Sequence, residues 1–533
     1  MIDIKNIALC ALLAWASAIN AAPNRLTPEQ ARHFLIRTGF APTQAEVDAI
    51  TGQSAQAVVA NTLAAAKASR PIHPAPDFVS QPPPIPYAFL KTKEEQQAMR
   101  QQQQEREGLD LKTWWMREMI ESPAPLQERM TLFWHNHFAT SQQKVIRSQA
   151  MWNQHLLLRA NALGSFATLL HGVAKDPAML VYLDGANSRR EAPNENFARE
   201  VMELFTLGEA THGGGYSEQD IREAARAFTG WSIERDSFSF RFRPAFHDAA
   251  AKTVLGQTGN FDGDAVLDVM LAQDAAARFI VGKLWKEFVS PMPDAKEVAL
   301  IAKRFRSGGY DISTALRDLL LTDEFWAVDN PGSLIKSPVD LVVGTVRQFG
   351  FSYTDAMPFA LKSAQLGQNL LVPPNVKGWP GYTEWINAST LLERKRFTEQ
   401  LFRAVEFQGE SKTAPPAAGM GMGPAGRPVA MMRAEFAAEK SDKGGQGSNK
   451  QALALLGRDG IMRVAQGMAK ITFDPDKWLA TYGGRADSEP SDALKKRLAL
   501  VVVGSDATQI ISPGTVGVAY LRSLTLDPAY QLK

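Results

Sequence analysis

Residues 193–231 read PNENFAREVMELFTLGEATHGGGYSEQDIREAARAFTGW and predict two helices joined by a glycine-rich turn. Asn194 suits the N-cap of the first helix and Gly208 its end, because Asn accepts from free amides and glycine adopts a left-handed backbone. Ser217 followed by Asp220 resembles a capping box for the second helix, with Asp replacing the usual Glu. The apolar residues recur at helical spacing, namely Phe197, Ala198, Val201, Met202, Leu204 and Phe205, then Ile221, Ala224, Ala225, Phe228 and Trp231.

The polar face of the first helix is the candidate centre of a functional site. Asn196, Glu200 and Glu203 are spaced i, i+4 and i+7, so they share one narrow face. Two carboxylates and a carboxamide there could bind a cation or transfer protons, and Asn196 and Arg199 are predicted substrate contacts. The alternative is a solvated surface on which Glu195 and Arg199 form an ordinary helix ion pair.

Composition limits the classes of protein to consider. The chain has 533 residues, 45% hydrophobic and 21% charged, with a formal net charge of +2, which is typical of a globular protein and does not suggest nucleic-acid binding. The only cysteine is Cys10. It lies in the predicted signal peptide, so we expect neither disulfides nor cysteine ligands in the mature chain. Any metal would be held by His, Asp, Glu, Asn or backbone oxygens.

The N-terminus resembles an export signal. Lys5 precedes an apolar segment, residues 7–18, that ends in Ala16-Ser17-Ala18, a small-residue cleavage pattern. We therefore predict a signal peptide over residues 1–21 and a periplasmic or secreted mature protein. No later stretch is long and apolar enough to predict a transmembrane segment.

A second group of titratable residues lies in residues 126–138, LQERMTLFWHNHF. At helical spacing His137 falls in the apolar arc, whereas His135 points almost oppositely. If the helix continues to Phe138, the two rings cannot ligate one metal, but an unwound end would permit it. The metal hypothesis combines His135 and His137 with Glu200 and Glu203. The alternative is a histidine that is hydrogen-bonded in the core.

Two further motifs complete the candidate site. Phe238, Phe240 and Phe242 alternate with polar residues as in a strand, which leads to His247-Asp248, a candidate catalytic pair. The alternative there is a turn Asp beside a surface His. The stiff loop at residues 370–389, LLVPPNVKGWPGYTEWINAS, carries Trp379 and Trp385. These are predicted to stack on sugar rings or apolar peptide groups, unless they plug the core.

The organisation predicted from these patterns is mainly α. Residues 22–405 form one large multi-helix domain with a small β-hairpin element and long loops. Residues 406–450 are rich in Gly, Pro, Ala, Met and Ser and predict a flexible low-complexity linker or insertion. Residues 451–533 regain globular character, and we expect them to pack back on the main domain.

Several of these motifs together resemble a bacterial exported family known as domain of unknown function 1800. The matching stretches are 133–138, 179–184, 194–200, 203–204, 206–208, 214–216, 229–231, 247–248 with Lys252, 373–376, 378–380 and 528–531. One departure is Phe205, where many relatives carry a histidine. A metal site that needed that histidine would not form in this chain.

The resemblance implies a large exported protein and no particular activity. Similar proteins are often found beside another exported family, domain of unknown function 1501, which resembles sulfatases and alkaline phosphatases. A protein of that family is therefore an expected partner.

Two functions agree with these observations. The first is an exported enzyme that acts on an envelope or extracellular polymer. A metal-dependent hydrolase with a divalent cofactor is one form of this hypothesis. Its catalytic residues would be Glu200, Glu203, His247 and Asp248. The second is a non-catalytic exported binding or assembly protein, in which the same polar motifs are buried structural networks.

Overall fold

A computed structural model describes residues 22–80, 93–145, 147–234, 236–327, 330–413 and 457–533. The fold is mainly α-helical, as predicted, and within these residues the β-structure comprises two small antiparallel sheets of two strands each. The predicted signal peptide lies outside the described residues. So does most of the predicted linker, although helix continues to Thr413, past its predicted start at residue 406.

The first part of the chain is a succession of helices with conventional caps. Thr27 and Thr43 each begin a helix through a capping box with the side chain three residues on. The helices are α1 (Pro28–Thr38), α2 (Gln44–Ile50), α3 (Ala55–Ala68), α4 (Lys93–Glu121), α5 (Pro125–His137), α6 (Ser148–Asn161), α7 (Phe166–Ala174) and α8 (Pro177–Tyr182).

The central part contains the predicted pair of helices and the hairpins. Helix α9 (Glu195–Glu200) continues as a π-helical segment, Val201–Thr206, and is followed by α10 (Glu218–Ala227). Strand β1 (Trp231–Ile233) pairs with β2 (Phe240–Phe242), and β3 (Lys252–Val254) pairs with β4 (Gln257–Gly259). Trp231, predicted on the second helix, instead opens β1, because α10 ends at Ala227.

The remaining elements are again helical. They are α11 (Gly263–Leu271), α12 (Asp274–Phe288), α13 (Ala295–Ser307), α14 (Ile312–Leu320), α15 (Asp323–Trp326), α16 (Pro338–Phe349), α17 (Met357–Gln365), α18 (Ala388–Thr413), α19 (Gly457–Ala469), α20 (Pro475–Ala480), α21 (Asp492–Val502) and α22 (Gly517–Thr525). No helix among the described residues combines the length and apolar character that a membrane span requires.

Two large apolar clusters form the interior. The first includes Phe197 and Phe228 from α9 and α10. The second joins Phe349 of α16 and Phe402 of α18 to Tyr530 near the C-terminus. The residues after the gap at 414–456 therefore share a core with helices that precede it.

A network of buried charges connects distant parts of the chain. The Asp340 carboxylate lies between the guanidinium of Arg129 and the ammonium of Lys533, which is 2.7 Å away. Arg129 also pairs with Glu287 at 2.8 Å and donates to the backbone oxygen of Gly39. Burial acts to raise the pKa of Asp340, but Arg129 and Lys533 hold it well below its ordinary value.

We expect Asp340→Asn to lower the free energy of unfolding by about 3–5 kcal/mol, because Arg129 and Lys533 would then be buried without a countercharge. Asparagine can still accept from the Ser337 amide, so the substitution tests charge more than capping. Urea unfolding followed by circular dichroism measures the change. Asp487→Asn removes an exposed pair with Arg485 and should be nearly neutral. Equal effects of the two substitutions would contradict the assignment.

Candidate functional site

The N-terminus of α9 is fixed by Asn194. Its side-chain oxygen accepts from the Phe197 amide at 3.1 Å, and its side-chain nitrogen donates to the Leu183 oxygen at 2.9 Å. Its own amide donates to the Ser188 hydroxyl at 3.1 Å. The predicted N-cap therefore also anchors the helix to the loop before it.

The second half of this helix has a wider π-helical turn. The Leu207 amide donates to the Met202 oxygen, five residues back, at 2.8 Å. The Thr206 hydroxyl donates to the Val201 oxygen at 2.7 Å. Single π-turns are rare and often occur at functional sites. Here the turn carries Glu203 and follows directly after Glu200.

Glu200 and Glu203 lie on this helix in different electrostatic settings. Glu203 is 3.9 Å from the ammonium of Lys377, which also contacts Glu209 at 3.4 Å. Glu200 is half-buried, and no described residue forms a hydrogen bond or ion pair with its carboxylate. Burial and, to a lesser extent, Glu203 raise the pKa of Glu200, and Lys377 opposes them. The protonated form of this carboxyl group is thus more favoured than that of an ordinary glutamate.

The two predicted substrate contacts on the same helix, Asn196 and Arg199, differ in whether they already bind another residue. Asn196 is exposed. Arg199 forms a bidentate pair with Glu218 on α10, with both N–O distances 2.7 Å. Its guanidinium therefore joins two helices, and only Asn196 is free to contact a ligand without breaking an ion pair.

His135 is part of the hydrophobic interior. Helix α5 continues to His137, so the alternative of an unwound end does not occur. The Nε2 atom of His135 lies 3.2 Å from Nδ1 of His155, and its ring packs against Trp115 at 4.6 Å between centroids. Burial lowers the pKa of His135 to about 3. It is therefore a neutral core residue.

His137 points away from His135 and is also buried. Its Nε2 donates to the backbone oxygen of Phe205 at 3.1 Å. The pKa of His137 lies well below its ordinary value because of burial and, next, the charge of Lys283. The predicted ligand set of His135, His137, Glu200 and Glu203 is thus not assembled. No group of three or more His, Cys, Asp or Glu that could hold a metal occurs in the described part of the chain.

His247 and Asp248 lie at the other end of α10 from the acidic face. His247 donates through Nδ1 to the Thr229 oxygen at 2.9 Å, and Asp248 pairs with Arg226 at 2.7 Å. The hydrogen bond from Arg226 lowers the pKa of Asp248. Arg226 and Glu218 are eight residues apart, or about 12 Å along the helix. The predicted catalytic set is therefore split between two places.

The prediction that Trp379 and Trp385 form an exposed platform is wrong. Both side chains are buried in the second apolar cluster, the alternative that the sequence left open. The Trp379 amide donates to the side-chain oxygen of Asn136 at 2.6 Å. Gly378 has a positive φ of 90°, and a Cβ there would meet that same oxygen at 2.3 Å. The loop is thus clamped onto α5.

The site also contains residues that the sequence did not single out. Lys377 lies in the quoted loop and Tyr216 in the glycine-rich turn, so both were within the motifs but carried no distinctive spacing. Burial, followed by the charge of Glu203, raises the pKa of Tyr216 to about 12. Tyr182 lies close enough to Glu200 that this carboxylate, after burial, raises the pKa of the phenol. The acidic face is therefore bordered by a lysine and two protonated phenols.

A family model described as "Protein of unknown function (DUF1800)" matches residues 33–511. The chain belongs to the DUF1800 family. No curated protein and no solved structure matches the chain. The matched residues include α9, α10, the first hairpin and the loop at Lys377, but the family description assigns no reaction to them.

The burial of neutral His135 predicts a pH-dependent stability. Because its folded pKa is depressed, the residue contributes stability above its unfolded pKa near 6.5, and this contribution is lost as the pH falls toward about 3. We expect His135→Gln to reduce the slope of unfolding free energy against pH in this window by up to about 1.4 kcal/mol per pH unit. Equal slopes in the wild type and His135→Gln would contradict a neutral buried His135.

Proposed function

We propose that the protein is an exported hydrolase that acts on an envelope or extracellular polymer, with Glu200 as its general acid–base group. The observation that carries this proposal is the half-buried Glu200 carboxyl, which has no protein partner among the described residues and a raised pKa. Perturbed carboxyl groups of this kind are typical of catalytic positions. The predicted signal peptide supports periplasmic or secreted localisation.

Glu200 would act by accepting a proton from a water molecule that attacks the substrate, then returning it to the leaving group. Its raised pKa brings it closer to neutrality, where a carboxyl group can perform both steps. Lys377, held near Glu203 and Glu209, would contribute positive charge close to the reacting centre. Asn196 would contact the substrate from the exposed face.

The spacing of Glu200 and Glu203 disfavours a two-carboxylate glycosidase. Carboxyl groups three residues apart on one helix lie on the same side of a bound substrate, whereas glycosidases place theirs on opposite sides of the scissile bond. We therefore assign proton transfer to Glu200 and an electrostatic role to Glu203, which contributes to the raised pKa of Glu200.

A divalent metal would have to bind in a different way from the set that the sequence suggested. His135 and His137 donate or accept within the interior, so Glu200 and Glu203 would be its only side-chain ligands from that set. Such a site would need water or substrate oxygens to complete it.

A protein of the family known as domain of unknown function 1501 is the proposed partner.

If the chain binds a divalent metal, we expect Glu200→Ala to lower the bound amount and His135→Gln to leave it unchanged. The His135 ring faces Trp115 and His155, so it cannot reach the acidic face. Elemental analysis of the purified protein measures both variants, with circular dichroism to establish that they fold. A folded His135→Gln protein that had lost its metal would contradict this arrangement.

The alternative function is a non-catalytic binding or assembly protein. One specific observation favours it, because His137, His247 and Asp248 are all engaged in internal contacts. The partners of both histidines are backbone carbonyls, those of Phe205 and Thr229. The unpartnered Glu200 has no explanation under this alternative, so we prefer the enzyme.

We expect Glu200→Gln to lower the hydrolysis rate about 10²–10⁴-fold, because the amide cannot accept or return a proton. Release of soluble fragments from labelled peptidoglycan and labelled extracellular polysaccharide measures the activity. Glu195→Gln removes an exposed carboxylate from the same helix and serves as the matched control.

The pH profile provides a second criterion for the same variant. As a base, Glu200 must be ionised, so wild-type activity should rise with pH through a value above the ordinary range of glutamate. If Glu200→Gln and Glu195→Gln lose activity equally, or if the wild type releases no fragments, the enzyme proposal fails.

A further inference from the structure

The base of the first hairpin exposes an unusual combination of side chains, Arg189, Phe242, Arg243, Phe246 and His247, which we call the hairpin patch. Three backbone hydrogen bonds bring its segments together: Gly230 to Ser188 at 3.0 Å, Arg243 to Gly230 at 2.7 Å and Arg190 to Phe246 at 2.9 Å. The patch is therefore held by main-chain geometry and does not depend on its own side chains.

Its two arginines have no acidic partner among the described residues. Arg189 is exposed, and its guanidinium lies 4.3 Å above the Phe246 ring. Arg243 is half-buried and donates to the Ser232 hydroxyl at 3.1 Å. A guanidinium that lies over a ring face in this way still has N–H donors available for a carboxylate.

Two neighbouring acidic residues form ion pairs with other arginines. Glu191 pairs with Arg190 at 2.6 Å, and Asp248 pairs with Arg226 at 2.7 Å. Arg189 interacts with Glu191 only at longer range, and neither arginine of the hairpin patch forms an ion pair of its own with a described residue.

The patch also contains an apolar surface. Phe242 is 40% exposed, although most phenylalanines of this chain are buried, and its ring lies 5.4 Å from that of His247. The backbone of Gly230, whose φ is 84°, lies directly beside this ring, since a Cβ there would come within 3.1 Å of it. His247 donates from Nδ1 to the Thr229 oxygen, so in the neutral ring Nε2 is an acceptor, and no described residue hydrogen-bonds to it.

We infer that the hairpin patch binds a carboxylated polysaccharide: the guanidinium groups of Arg189 and Arg243 pair with its carboxylates, and the exposed ring of Phe242 packs against a sugar face. Arginine matches a carboxylate through two parallel hydrogen bonds, and an aromatic ring offers the apolar contact that a sugar ring needs. His247 contributes its free Nε2 as an acceptor for a sugar hydroxyl. This inference rests on the proposed function and assigns it an acidic substrate.

The position of the patch suits a polymer that continues to Glu200. Ser188, next to Arg189, is hydrogen-bonded to Asn194, the cap of α9. Glu200 is six residues further along, or about 9 Å of helix. A chain bound at the patch therefore begins one short helix away from the unpartnered carboxyl group.

Binding of polygalacturonate to the full-length chain, measured by isothermal titration calorimetry, tests the inference. We expect binding that weakens with salt, and none to neutral dextran. Arg189→Gln should weaken it about tenfold or more, through loss of a charge-assisted bidentate contact. Arg278→Gln removes an exposed arginine of α12 and should have little effect.

The Phe242→Ser variant distinguishes a site that contacts sugar rings from a surface that binds any polyanion through its positive charge. It should weaken polygalacturonate binding about as much as Arg189→Gln, while any binding of polyphosphate should be unaffected, since polyphosphate has no sugar face. The inference is overturned if Arg278→Gln weakens binding as much as Arg189→Gln. It is also overturned if polyphosphate binds as tightly as polygalacturonate and Phe242→Ser changes neither.

The Glu200→Gln variant distinguishes this inference from the proposed function. We expect it to bind polygalacturonate as the wild type does. Activity on a polymer without polygalacturonate binding would reject the patch alone. Binding by the wild type and by Glu200→Gln, with no hydrolysis by either, would reject the enzyme alone.

Discussion

The burial of Asp340 between Arg129 and Lys533 is the interaction on which the architecture depends. Charges removed from water must be paired, so the three residues have to meet although 211 and 193 positions separate Asp340 from the other two. Their meeting fixes α5 against α16 and brings the last residue of the chain into the interior. Glu287 extends the network to α12, so helices from all parts of the chain share one electrostatic requirement.

With α5 held in this way, the three residues at its end are directed to three different partners. His135 contacts His155 in the second core, Asn136 accepts from the Trp379 amide, and His137 donates to the Phe205 oxygen. The last of these bonds satisfies a carbonyl left free at the end of the π-helical segment. The motif that resembles a metal ligand pair is thus a clamp. It places the helix that carries Glu200 and the loop that carries Lys377 side by side.

The features that could be predicted from the sequence are those that local interactions determine. The caps at Asn194 and Ser217 and the mainly α-helical fold follow from residues within a few positions of each other. The π-helical turn could not be predicted, because Val201, Met202 and Phe205 are buried in it as they would be in an α-helix.

Side chains whose neighbours are distant in sequence were harder to place. Trp379 and Trp385 lie on a stiff loop that could present them to solvent or to the core. The hydrogen bond that the Trp379 amide donates to Asn136, 243 positions away, holds the loop so that both side chains face the core. His247-Asp248 was expected to join Glu200 as part of one site. Its actual partners, Thr229 and Arg226, lie at the far end of α10 and satisfy both side chains there. Arg189 carried no signal at all, because its lack of an acidic partner is visible only in three dimensions.

Glu200 and Arg189 stand out because the charged residues around them form ion pairs with other residues. Near Arg189, Glu191 forms its ion pair with Arg190; near Glu200, Arg199 pairs with Glu218, and Lys377 with Glu209 and Glu203. Arg189 and Glu200 themselves form no ion pair with a described residue, and their neighbours act on them only at longer range. Glu200 ends α9, and Arg189 lies in the loop before this helix, so the helix separates the carboxylate from the guanidinium. Pairing them would add little stability, since an exposed ion pair contributes about 0–1 kcal/mol. One anionic and one cationic group thus stay without an ion pair on one short helix and the loop that precedes it, which agrees with the binding of an acidic chain and the proton transfer that we propose.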